Sequence, residues 1–213
     1  MSRFPDPRYV RGDIVAFGDD LAVDTLRDAY RHGIFPWPHD ELPLPWFSPR
    51  RRTILIFEDL HVGRSLRKAL AKTRYTFTVD RAFRRVIEAC AAAPRPDQDG
   101  TWIAPQIIEA YTRLHHAGDA HSAELWRGDE LVAGVYGVDS GGVFTGESMF
   151  HRVDNGSKIA LLLLIEHLQS RGATWLDCQV MTPHMRVLGA REIMRARFLD
   201  MLAAAQSKAL RLF

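Results

Sequence analysis

At 213 residues, 46% apolar and 25% charged, the chain has enough apolar material for one large domain or for one domain with a small appendage. Residues 1–20 contain no apolar run of signal-peptide length, and the most apolar run, Ile159 to Ile165, is too short to span a bilayer; a cytoplasmic location off the membrane is therefore expected. Net charge is only +2, yet residues 50–85 hold eleven basic side chains against Glu58, Asp59 and Asp80, so the remainder sums to about −6 and a polyanionic partner meeting one side of the molecule is expected.

In chain order, a short apolar piece at Ile14 to Phe17 is followed by helical spacing at Leu26, Ala29 and Tyr30, which Gly33 ends. Residues 36–49 carry five prolines, which exclude helix and most strand, together with Trp37, Trp46 and Phe47. Such a rigid aromatic loop is either a platform for stacking a base or a lid over a small core. Thr53 to Phe57 reads as a strand. Val62, Leu66 and Leu70 then mark the apolar face of a helix whose other face holds Arg64, Arg67, Lys68 and Lys72. With no acids interleaved, that stripe suits phosphate contact better than a merely solvated face.

Tyr75, Phe77 and Val79 alternate as a strand, and Asp80 is placed to cap a helix bearing Phe83, Val86, Ile87 and Cys90. Thr101-Trp102-Ile103 leads into a helix with Pro105 in its first turn and Gly118 at its end. Three close strands, about His121 to Trp126, Leu131 to Val138 and Val143 to Phe150, form an antiparallel meander. The Leu-rich helix after them leads to a strand at Ala173 to Val180, and that length of crossover makes the strands on either side of it parallel. A short piece at Ala190 to Ile193 and a closing helix from Arg197 to Leu212 complete the chain.

The strand at 173–180 carries Asp177 and Gln179, which are depleted in strands and costly to bury alone. Alternation puts Trp175, Asp177 and Gln179 on one face and Leu176, Cys178 and Val180 on the other, and Glu147 on the neighbouring strand can face the same crevice as Asp177. Either a buried structural Asp or a site is compatible with that pattern. Cys90 and Cys178 give no disulfide framework or zinc spacing, and no metal-ligand set appears in the sequence.

A meander, crossover helix and strand is the arrangement of the acyltransferase (GNAT) fold, which usually binds acyl-coenzyme A through a turn with small residues at the start of the helix. Here that turn is Arg152-Val-Asp-Asn155-Gly-Ser157, which disfavours a coenzyme A donor. Gly33-Ile-Phe-Pro-Trp37, Thr101-Trp-Ile103, Gly146-Glu-Ser-Met-Phe150 and Asp177-Cys-Gln179, followed by His184 and Leu188-Gly-Ala190, resemble in order the bacterial leucyl/phenylalanyl-tRNA-protein transferases.

The resemblance implies an α+β protein with a small N-terminal domain, residues 1–51, on a GNAT-like catalytic domain of mixed sheet, residues 52–213. It implies transfer of Leu or Phe, with Met a further donor, from aminoacyl-tRNA to the N-terminal Arg or Lys of acceptor proteins, marking them for degradation, by a monomer without a cofactor. By motif position, Trp37 and Trp102 resemble holders of the terminal adenosine, Phe144, Leu176 and Val135 walls of the aminoacyl pocket, and Arg64, Arg67, Lys68 and Lys72 the tRNA-backbone face. Asp177 is assigned to orient Gln179 and accept a proton directly or through a neighbour, Gln179 to hold the attacking amine, and Glu147 to hold an ammonium group. Thr145, Met194 and Ala196 depart from the family pattern, which bears on the balance among Leu, Phe and Met. The rival readings are an N-acyltransferase of the same fold with another small donor, a non-catalytic tRNA-binding protein, and a thiol enzyme built on Cys178 with His151 or His184.

Overall fold

In the computed structural model, which describes residues 2–18, 20–38, 43–72, 74–94 and 101–213, ten strands form two sheets and seven α-helices pack around them. The N-terminal part supplies β1 (Ile14–Phe17), α1 (Val23–Arg31), β2 (Phe35–Pro36) and β3 (Pro45–Phe47), the three strands forming a small antiparallel sheet in the order β1-β3-β2. The proline-rich stretch therefore contains strand, against expectation. The strands are only two and three residues long, and Pro45, which lacks an N–H, still offers its carbonyl to the Trp37 N–H at 3.0 Å.

The larger sheet is mixed and runs β10 (Arg191–Met194), β4 (Arg51–Ile56), β9 (Trp175–Gln179), β8 (Phe144–His151), β7 (Glu130–Asp139), β6 (Ala120–Arg127), β5 (Thr76–Val79). The expected meander is β6-β7-β8, and α5 (Gly156–Ser170) carries the chain to β9, which lies parallel to β8. One sheet face is covered by α2 (Arg64–Ala71) and α5 around Leu66, Leu125, Phe144, Leu164 and Leu176. The other is covered by α1, α3 (Phe83–Ala92) and α4 (Pro105–His116) around Tyr30, Phe83, Tyr111 and Tyr136. Between β9 and β10 lies α6 (Pro183–Val187), and α7 (Arg195–Gln206) packs Phe198, Leu199 and Leu202 against Ile54 and Trp175. No described helix is long and apolar enough to cross a membrane.

Three local expectations are corrected. Asp80 does not cap α3: it has φ +58° and gives its carboxylate to His121 and to the Ser122 N–H, while Glu124 accepts from the Ala82 N–H at the helix start. The last helix begins at Arg195 and ends at Gln206, whose amide binds the carbonyls of Arg31 and Ser140. The basic residues of 50–85 do not share one side. Arg52 is buried, Arg50 pairs with Asp13, Arg51 with Glu192, and Arg84 with Glu88 and Glu109, while α2 and α3 lie on opposite sheet faces.

Candidate active site

The site is where the two parallel strands part. β8 and β9 pair only at Thr145 and Asp177, so beyond that point Gly146 to Met149 and Cys178 to Val180 diverge and leave a crevice. Both strands are irregular there. On the β7 side, Tyr136 pairs with Ser148 and Gly137 with Gly146, which makes Glu147 the extra residue of a β-bulge. On the β4 side, Thr53 pairs with Gln179 and Ile54 with Asp177, which makes Cys178 another. Strict alternation therefore fails at Cys178, and Leu176, Asp177, Cys178 and Gln179 all line one cavity of about 280 Å³.

Asp177 is held by four donors. The Arg52 guanidinium meets it through Nε at 2.8 Å and a terminal nitrogen at 2.6 Å, the Thr145 hydroxyl donates at 3.1 Å, and the Gln179 N–H at 2.9 Å. Both Arg52 and Asp177 are 1% exposed, and Arg52 is sandwiched by the rings of Phe35 and Phe198 at 4.7 and 4.6 Å. Its other terminal nitrogen donates to the Gly33 carbonyl at 3.2 Å. Gly33 has φ +71°, and a Cβ there would sit 2.7 Å from the Phe198 ring, so the turn after α1 that accepts this bond requires glycine. With every Asp177 oxygen engaged, direct proton acceptance requires one of these bonds to open. Positioning of Gln179 requires no such change.

Gln179 is left-handed, φ +61°, held by its N–H on Asp177, and its side-chain nitrogen donates to Glu147 Oε1 at 2.6 Å. The same Oε1 accepts from the Tyr30 hydroxyl at 2.6 Å, and Tyr30 meets Tyr111 hydroxyl to hydroxyl. Each phenol has one proton, so while Glu147 is ionised the direction runs Tyr111 to Tyr30 to Glu147. Burial, first, and then the Glu147 charge raise both phenols well above the ordinary tyrosine range, so they stay neutral donors. Burial likewise raises the Glu147 carboxyl to about 7, against the opposing hydrogen bond from Tyr30. Its second oxygen, Oε2, is buried without a hydrogen-bond partner among the described residues.

The rest of the cavity is mostly apolar, with Ser148 and Thr182 as its further polar lining. Val135, Phe144 and Leu176 line it, together with Met149, Leu161 and Met185, which the sequence reading did not single out. Trp37 and Trp102 both stand at this cavity, on opposite chain segments. Arg64, Arg67 and Lys68 on α2, and Lys72 at its C-terminal cap, are instead exposed and do not line it. Cys178 lines the wall, but burial pushes its thiol far up, which removes the thiolate that a thiol enzyme needs. Arg52, Tyr30, Tyr111 and Thr145 were missed. The arginine sits in a run of three that reads as surface, and Tyr30 reads as core at helical spacing.

A family model described as leucyl/phenylalanyl-tRNA protein transferase matches residues 54–203, and one for the N-terminal domain of the same transferase matches residues 19–50. A curated leucyl/phenylalanyl-tRNA–protein transferase of Chromohalobacter salexigens is 52% identical over 89% of this chain and 73% of its own length. Those of Pectobacterium carotovorum (47% identical over 97% of this chain and 88% of its own) and Pseudomonas syringae pv. syringae (49% over 89% and 82%) are similar. Among solved structures, L-PGS from Bacillus licheniformis aligns at TM-score 0.42 and 16% identity over 70% of this chain and 48% of that one, too low a likeness to bear on the fold. The chain belongs to the leucyl/phenylalanyl-tRNA protein transferase family.

Proposed function

We infer that this protein transfers leucine or phenylalanine from aminoacyl-tRNA to the N-terminus of a protein, by ester aminolysis in the crevice between β8 and β9. The observation that carries the reading is the junction of an apolar pocket with Oε2 of Glu147, which has no hydrogen-bond partner among the described residues. An aminoacyl ester presents an apolar side chain and an ammonium on one carbon, and this cavity offers a matching wall and a matching anion. Charged side chains are excluded by the cost of desolvating them against Phe144, Leu161 and Leu176.

Trp37 and Trp102 stack on the terminal adenosine, a contact worth roughly 1–3 kcal/mol for each base held. Gln179 gives its amide nitrogen to Glu147, so its amide oxygen is left to hold the attacking amine. Asp177, locked by Arg52, sets the backbone from which Gln179 projects. The acceptor nitrogen attacks the ester carbonyl, an amide forms, the bond to the ribose oxygen breaks, and the amine's proton ends on that oxygen. A free α-amine has a pKa of about 8, so a working fraction is neutral at pH 7 and positioning rather than a strong base carries the acceleration.

The exposed α2 stripe of Arg64, Arg67, Lys68 and Lys72 serves the tRNA backbone. Acceptors with N-terminal Arg or Lys, a monomeric enzyme, a cytoplasmic location and a GNAT-like catalytic domain from residue 52 onward complete the reading. The last is supported by the meander, the crossover helix and the parting parallel strands. The test is incubation with labelled leucyl-tRNA and peptides beginning with Arg, Lys or Ala. Label is expected in the Arg and Lys peptides, and binding of tRNA with no label in any peptide would leave only a tRNA-binding protein.

A further inference from the structure

A second recess, of about 410 Å³, lies away from the active site at the junction of β5, β6 and α3. Its floor includes Trp126, whose indole nitrogen is spent on the Thr78 hydroxyl at 2.7 Å. Two arginine side chains lie against that one ring, Arg81 at 4.6 Å and Arg85 at 5.0 Å from its centroid, so their guanidinium carbons are at most about 10 Å apart. Neither arginine has an ion pair or a side-chain hydrogen bond among the described residues. Arg84 between them differs, being occupied by Glu88 and Glu109.

A guanidinium stacked on an indole spends only its face. The N–H donors lie in its plane and remain available, in the fork that matches phosphate oxygens. Stacking also removes much of the rotational freedom that a free surface arginine loses on binding. The recess also holds His115 and His116. Of its two acids, Asp80 is committed to His121 and Ser122, and Asp129 lies in the exposed β6–β7 turn.

The location gives the pair a partner. β5 is the edge strand of the large sheet, and its two connections carry the two basic groups: α2 precedes it on one sheet face, and Arg81 and Arg85 follow it on the other. Four strand residues span only about 13 Å. Because the two groups lie on opposite sheet faces, a nucleic acid stem that contacts both has to straddle this edge strand. We propose that Arg81 and Arg85, braced by Trp126, form a second phosphate-binding site that takes backbone phosphates of the double-stranded part of the tRNA. The proposal rests on the transferase reading only for the identity of the RNA.

The experiment compares the full-length protein with Arg81→Gln/Arg85→Gln in equilibrium binding of leucyl-tRNA over a range of KCl. Its second measurement is transfer from leucyl-adenosine, a donor ester with no stem. The double variant is expected to lose about tenfold in tRNA affinity near 0.1 M salt and to flatten the slope of log K against log salt by about 1 to 2. Transfer from leucyl-adenosine stays at the wild-type rate, and Arg81→Lys/Arg85→Lys recovers most of the slope. An unchanged slope overturns the proposal. So does parallel loss of tRNA binding and leucyl-adenosine transfer, which would make the pair structural. Loss of poly-glutamate binding with an intact tRNA slope overturns it in favour of an acidic polypeptide. A changed slope in a protein whose wild type transfers no leucine would sink the transferase reading and leave the phosphate site standing.

Discussion

Arg52 and Asp177 form a buried, doubly hydrogen-bonded ion pair that joins β4 to β9 directly behind Gln179. A pair this deep is poor evidence of stabilisation in itself, since desolvation of both charges offsets their attraction. Breaking it is another matter. Arg52→Met is expected to cost about 3–5 kcal/mol in urea unfolding, because the Asp177 carboxylate is left buried and unpaired. Arg52→Met/Asp177→Leu should regain much of that loss while transfer stays abolished. A double variant that is both stable and active would make the pair a packing device with no part in the chemistry.

Glu147 imposes a pH dependence whose sign follows from its environment. Its folded carboxyl titrates at about 7, above the ordinary glutamate value, so between about pH 4.5 and 7 the folded state binds more protons than the unfolded one. Its contribution to stability is therefore full below about pH 4.5 and is lost as pH rises through 7. Relative to Glu147→Gln, the wild type should lose about 1–3 kcal/mol across that window, measured by denaturant unfolding at several pH values. Activity runs the other way, because only the ionised carboxylate holds an ammonium. In kcat/KM against pH, the variant should lack the limb near 7 and retain the one near about 8 from the acceptor amine.

Much of this arrangement is visible in the sequence, and the part that is not has a common cause. Periodicity and spacing suffice for the meander, the crossover helix and the parallel strand after it, because each follows from the order and length of consecutive elements. They also bring Glu147, Asp177 and Gln179 to one crevice. What escapes is register: the bulges at Glu147 and Cys178 exist only once β7 pairs with β8 and β4 with β9. Arg52 escapes for the same reason. Nothing within Arg50-Arg51-Arg52 distinguishes the buried residue from its exposed neighbours until β4 lies between β9 and β10, and Phe35 and Phe198 close over it from opposite ends of the chain.

At Gln179 the backbone and the side chain make separable contributions. The left-handed φ of +61° is strained for any residue but glycine, whereas the bond to Glu147 belongs to the amide. Gln179→Gly is therefore expected to be at least as stable as Gln179→Ala, by about 0.5–1 kcal/mol in thermal or urea unfolding. Both should lose most transfer activity while binding leucyl-tRNA with near wild-type affinity, as read by parallel binding and peptide-labelling assays. Activity retained in the glycine variant would remove the amide from the reaction.

Pocket size is set from behind by a missing side chain. Gly137 on β7 lies against Phe144, and a Cβ there would stand 2.5 Å from the tip of that ring and closer still to the Thr145 carbonyl oxygen. Phe144 is fully buried and forms a wall of the cavity between β8 and β9, so displacing its ring changes the space proposed for the donor side chain. Gly137→Ala is expected to destabilise the protein by about 1–3 kcal/mol or more, because the Thr145 carbonyl on β8 must give way as well as the ring. It should also lower kcat/KM for phenylalanyl-tRNA more than for leucyl-tRNA, because the planar ring needs the deeper space. Competition between the two labelled donors for one Arg-peptide measures the ratio directly. An unaltered ratio in a folded Gly137→Ala protein would mean that Phe144 does not limit the depth of the pocket.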